Sequence, residues 1–110
     1  MVRATAAEVV KKWGGNYPAG WDATSVGNVC TQIDAELDGR ASPATFGTGT
    51  NEVEFANEYA FRKINMQRWA AGNMTQPPPP HPWGEDMRDW FNALLTNTTY
   101  GGIRYIKQQG

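Results

Sequence analysis

At 110 residues and 12.2 kDa, with hydrophobic residues at 40% and charged residues at 19%, the chain is long enough for one small core and too short for two domains. No apolar run approaches the roughly 20 residues of a bilayer span, one cysteine excludes an intramolecular disulfide, and a net charge of -1 gives no bulk attraction for nucleic acid. Five Trp, four Tyr and four Phe supply much of the apolar area and argue against intrinsic disorder.

The first residues contain no apolar stretch of the kind a secretion signal needs, so the chain is expected to stay where it is made. Thr5 followed by Glu8 fits a capping box opening a short helix, with Ala6, Ala7, Val9, Val10 and Trp13 on its apolar side and Gly14 and Gly15 stopping it. Tyr17 and Trp21 sit on a short loop with Pro18 and Gly20 and are expected to fold back onto the core. Asp22 reads as the N-cap of a second helix over 22–38. Its stripe is Val26, Val29, Cys30, Ile33 and Leu37, and Gly39 reads as its stop. Cys30 on that stripe reads as a small buried hydrophobe. Asp34, Glu36 and Asp38 crowd the last turns, where the helix dipole prefers cations. That placement reads either as a solvated face or as acids with a use.

Residues 40–51 form a long loop, and its Gly-Thr-Gly-Thr run lacks the lysine and spacing of a phosphate-binding loop. The longest helix is predicted over 51–71, opened by Asn51 and closed by Gly72. It carries two apolar stripes, Val53, Ala56, Ala60 and Ile64 on one side and Phe55, Tyr59, Met66 and Trp69 on another. Two stripes mean a central helix or a helix with one face toward another subunit. Pro77 to Pro80 are expected to form a stiff spacer, and His81 beside them reads as a solvated loop residue. A last helix is predicted from Pro82 or Trp83 to Thr96, with Met87, Trp90, Phe91, Leu94 and Leu95 as its stripe and a turn over 97–102. The chain ends in a tail that either hooks back or docks on another protein. The expected architecture is therefore mainly α: a small bundle of about four helices over 1–98 with a long loop and a Pro-rich loop, followed by an extended C-terminal tail over 99–110.

Charge is unevenly spread. Residues 1–60 carry four Lys/Arg against eight Asp/Glu, and residues 61–110 carry six against three. This reads as two faces of a solvated domain or as a protomer whose acidic side meets a neighbour's basic side. No His–Cys or His–Ser set has an orienting acid, and Asp34, Glu36 and Asp38 are the only clustered ligand types. The expectation is a binding or assembly protein that is not an enzyme, with no catalytic residues, cofactor or metal.

Residues 6–15, 22–40 and 51–71 together resemble the head-tail connector (adaptor) proteins of tailed bacteriophages and related proviruses. They supply a short capped helix ending in glycines, an Asp-initiated helix closing on acidic residues, and a long helix rich in Ala and aromatics. The proline run at 77–80 lies outside that pattern. The resemblance implies a virion neck protein assembled in the host cytoplasm, forming a ring of about twelve copies under the portal. Such a ring prolongs the channel for double-stranded DNA, which passes without specific binding, and offers a platform for a stopper or tail-completion protein. On this reading Phe55, Tyr59, Met66 and Trp69 make the subunit interface and Asp34, Glu36 and Asp38 face the channel. Ile103, Tyr105 and Ile106 then dock on the portal or a neighbouring copy. No membrane association is implied. The alternative is a small helical adaptor or regulator in the cytoplasm that binds one protein through its aromatic face and tail.

Overall fold

The computed structural model describes residues 3–74 and 78–100, with the side chains of the last helix as far as Leu95; all regular structure among them is helical. Helix α1 spans Ala6–Val9 and tightens into a 3-10 turn over Val10–Trp13. Thr5 caps it, its hydroxyl accepting the Glu8 N–H at 3.3 Å. Gly14 ends it with φ 80°, where a side chain is strained, and its N–H and that of Gly15 close on the Lys11 and Val10 carbonyls. The following loop brings Tyr17 and Trp21 back against the core, as expected.

Helix α2 spans Ala23–Ala41, and its Asp22 cap is reciprocal. The Ser25 N–H donates to the Asp22 carboxylate at 2.8 Å, and the Asp22 N–H donates to the Ser25 hydroxyl at 2.9 Å. The predicted stripe of Val26, Val29, Cys30, Ile33 and Leu37 is buried throughout. Gly39 does not stop the helix. Ala41 beyond it is buried, and the Arg40 guanidinium lies 3.9 Å over the Trp83 ring, so tertiary contacts carry the last turn past the glycine. The exit comes at Ser42, whose extended ψ of 138° suits a residue that precedes proline.

Helix α3 spans Thr50–Ala70, capped by Gly49 instead of Asn51, with no side-chain bond at the cap. Gly72, at φ 80°, terminates it as predicted. Ala56, Ala60 and Ile64 of one predicted stripe and Phe55 and Tyr59 of the other are buried, with Val53 and Met66 half-buried and Trp69 exposed. The reason is that α3 is the central helix. It packs against α1, α2 and α4, the last spanning Glu85–Tyr100. Helix α4 starts three residues later than Pro82, since Pro82 and Trp83 belong to the preceding loop. It continues through the predicted turn at 97–100, there being no helix breaker before Gly101. Its Met87, Phe91 and Leu94 are buried and Trp90 and Leu95 lie at the margin. Residues 99 and 100 therefore belong to the helix, and the rest of the predicted tail, 101–110, lies outside the described residues.

The aromatic load is spent where α3, α4 and the α2–α3 loop meet. Phe55 touches five rings: Phe46, Tyr59, Trp83, Trp90 and Phe91. Phe46 stacks on Phe91 with centroids 5.0 Å apart, and Trp90 meets Phe55 edge-on at the same separation. A second, smaller cluster pairs Trp13 of the 3-10 turn with Phe61 at 5.2 Å. Each fully buried Phe contributes about 1.5–3 kcal/mol relative to exposure, and ring pairs add about 0.5–1.5 kcal/mol.

Candidate functional site

The three acids near the end of α2 were expected to share a purpose. The structure gives each a different one. Successive residues turn by 100°, so Asp34 and Asp38 lie on one side of α2 and Glu36 on nearly the opposite side.

Asp34 is buried on the apolar stripe between Ile33 and Leu37. Its two carboxylate oxygens accept the backbone N–H of Arg3 at 3.0 and 2.9 Å, and the Arg3 Nη1 lies 3.5 Å from Oδ1. The same guanidinium donates from Nη2 to Asp38 at 2.7 Å and to the Phe46 carbonyl at 2.8 Å, and from Nε to the Gly47 carbonyl at 2.7 Å. It also lies 5.0 Å from the Phe46 ring centroid. Two residues on, the Thr5 N–H donates to the Asn57 side-chain carbonyl at 3.1 Å, while the Asn57 amide nitrogen donates to the Val53 carbonyl at 3.0 Å. Residues 3–5 thus form a short strap across α2 and α3, with Ala4 in its middle wholly buried. A strap without a neighbouring strand must find acceptors for its N–H groups elsewhere, and Asp34 and Asn57 supply them.

Glu36 lies in a second knot between α2 and α3. Its carboxylate accepts from the Tyr59 hydroxyl, from Lys63 Nζ at 2.9 Å and from Arg40 Nε at 3.2 Å. Burial alone would raise its pKa. The bonds from Tyr59 and Lys63, the Lys63 charge and the Arg40 bond more than offset that and hold the carboxyl below its ordinary value. Tyr59 moves the other way, to about 12, first because it is buried and then because its hydroxyl donates a hydrogen bond to the charged Glu36. Beside it on α3, Glu58 accepts from Arg62 and Lys12, and Arg62 forks onto Asp86 of α4 at 3.2 and 2.8 Å. Two of these pairs, Arg62 with Glu58 and Lys63 with Glu36, join an acid of the first half to a base of the second inside one protomer.

These placements correct the expected sites. Asp34 is inside the protein and cannot line a channel. Glu36 is half-buried among two cations and a phenol, which leaves Asp38 as the one member of the triad with an exposed carboxylate. Phe55 and Tyr59 are core residues, so they cannot form a subunit interface; α4 covers the face assigned to a neighbour. Met66 is half-buried, and Trp69 at 38% exposure is the large hydrophobic left open among the described residues. Ile103, Tyr105 and Ile106 lie outside the described residues.

His81 is exposed, and its Nδ1 accepts the Trp83 N–H at 3.0 Å. Cys30 is buried, and burial followed by the Asp34 charge raises its thiol to about 11, which keeps it protonated at neutral pH. A shallow depression of about 190 Å³ is lined by Glu8, Lys11, Lys12, Glu54 and Asn57, and its lysines are paired with Glu8 and Glu58. No group of three metal-ligating side chains occurs among the described residues, and none of their helices is long and apolar enough to cross a membrane.

Arg3, Asn57 and Asn65 were not anticipated. Asn65 accepts from the Trp13 indole at 3.1 Å and from Arg68 at 2.9 Å. A signal was present for Asn57 and Asn65, polar residues adjacent to core positions on α3, since a buried polar side chain needs a partner. Comparison of the chain with protein families, with curated proteins and with solved structures returned no match.

Proposed function

We propose that the protein is a non-enzymatic structural component of the head-tail connector type, assembling as a ring against a portal. The observation that carries the reading is the order of elements: a short capped α1 closed by glycines, an Asp-capped α2, a long central α3 and a final amphipathic α4. This is the helical arrangement on which the resemblance of residues 6–15, 22–40 and 51–71 rests. The protomer hides its own aromatic core, so ring contacts use its outer surface, with Trp69 and Met66 at the end of α3 as the apolar contribution. On this reading Asp38, exposed although paired with Arg3, is the member of the acidic triad left to face the channel.

Native mass spectrometry of the purified protein, alone and mixed with a candidate portal assembly, tests this. The expected result is a closed ring of copies bound to the portal, weakened by Trp69→Ala without loss of the folded protomer. Failure to join any portal overturns the reading in favour of a cytoplasmic adaptor for a single cellular protein.

A further inference from the structure

We infer that residues 3–5 are a releasable strap that holds the α2–α3 loop shut, with Arg3 as its positioning residue. The loop, residues 42–49, is anchored to the body by Phe46, which is 1% exposed and seated against Phe55 and Phe91. Two of its carbonyls, those of Phe46 and Gly47, are held by the Arg3 guanidinium, whose side chain is only 3% exposed. That guanidinium has its charge answered by Asp34 and Asp38 on α2. One side chain therefore ties three separate pieces: the strap it belongs to, α2 and the loop.

The strap itself is held at two points. Its Arg3 end is on Asp34 and its Thr5 end is on Asn57 of α3. The two points differ in what they control. Loss of the Thr5 end leaves the loop carbonyls bonded to Arg3. Loss of the Arg3 guanidinium removes both loop bonds together while its backbone N–H can stay on Asp34, and it leaves Phe55 of α3 packed against Trp90 and Phe91 of α4. Opening is therefore local, with Phe46 free to swing off Phe55 and Phe91 and uncover them. The inference stands independently of the connector reading.

Limited chymotrypsin digestion reads the loop directly, because the Phe46–Gly47 bond is cleavable only when its carbonyl leaves Arg3 and its ring leaves the core. The new N-terminus at Gly47 is followed by intact mass, with far-UV circular dichroism as the control for folding. Arg3→Ala is expected to speed this cleavage on the order of tenfold to a hundredfold with helix content retained, the scale set by losing charge-assisted bonds. Arg3→Lys keeps a cation but loses the fork and is expected to give a smaller rise. Asn57→Ala is expected to leave cleavage within about twofold of the parent protein, since it cuts no bond to the loop. A rise at Phe46–Gly47 with helix retained in either Arg3 variant supports the strap. Unchanged cleavage in both, loss of helix in both, or Asn57→Ala opening the loop as far as Arg3→Ala overturns it.

Discussion

Phe55→Ala separates a core role from an interface role at one position. The ring is fully buried and meets five others, the nearest being Trp90 at 5.0 Å, Phe91 at 5.6 Å and Phe46 at 6.0 Å. Truncating a buried Phe costs about 3–5 kcal/mol, and the loss of several ring pairs at once puts this site toward the upper end. Domains of this size are held by about 5–15 kcal/mol in total. Each kcal/mol moves the melting temperature of a domain of up to about 100 residues by about 4–8 °C, so a fall of about 20 °C is expected. Thermal unfolding followed by far-UV circular dichroism measures it, with Trp69→Ala as the comparison. Trp69 is 38% exposed, and its truncation is expected to cost about 1 kcal/mol or less. A Phe55→Ala protein that melts within a few degrees of the parent while losing self-association would refute the assignment of Phe55 to the core.

Asp34→Ala strands a buried guanidinium and a backbone N–H and is expected to cost about 3–5 kcal/mol, whereas Asp38→Ala, at an exposed carboxylate, costs about 1 kcal/mol or less; denaturant titration distinguishes them. Glu36 and Glu58 are held below the ordinary glutamate value of 4.5, so their stabilising effect is complete above that pH and is lost as the pH falls through their folded-state values. Glu36→Gln is expected to flatten part of that acid slope in melting temperature. At the other end, Cys30 rises from 9.0 to about 11 and Tyr59 from 10.0 to about 12 on folding, so stability is expected to hold to about pH 9 and fall between there and pH 12. Tyr59→Phe removes the part of that fall above pH 10, and a thiol reagent should reach Cys30 only on opening of the fold.

The helices were legible because burial follows period. Val26, Val29, Cys30, Ile33 and Leu37 on α2, and Met87, Phe91 and Leu94 on α4, are buried in the pattern their spacing dictates. Boundaries were less so. Gly39 has the conformational freedom of a helix stop, but burial of Ala41 and the stacking of Arg40 on Trp83 outweigh a local preference of about 1 kcal/mol. The two stripes of α3 look the same whether a second copy or α4 covers them, and periodicity carries no information on which. Only the position of α4, set by Phe46, Phe55 and Phe91, decides it. The strap was illegible for another reason. The bonds from Arg3 to Asp34 and Phe46 join residues 31 and 43 positions apart, and a charge run reads as surface until its long-range partner is known.

The account rests on the protomer burying its own aromatic residues, so that folding does not require a second copy. Melting temperature measured from about 1 to about 100 µM protein tests this directly, because a fold completed by a partner becomes more stable with concentration. A melting temperature that is constant over this range is the predicted result. A melting temperature that climbs with concentration, or a chain without cooperative unfolding at the lowest concentration, would contradict it.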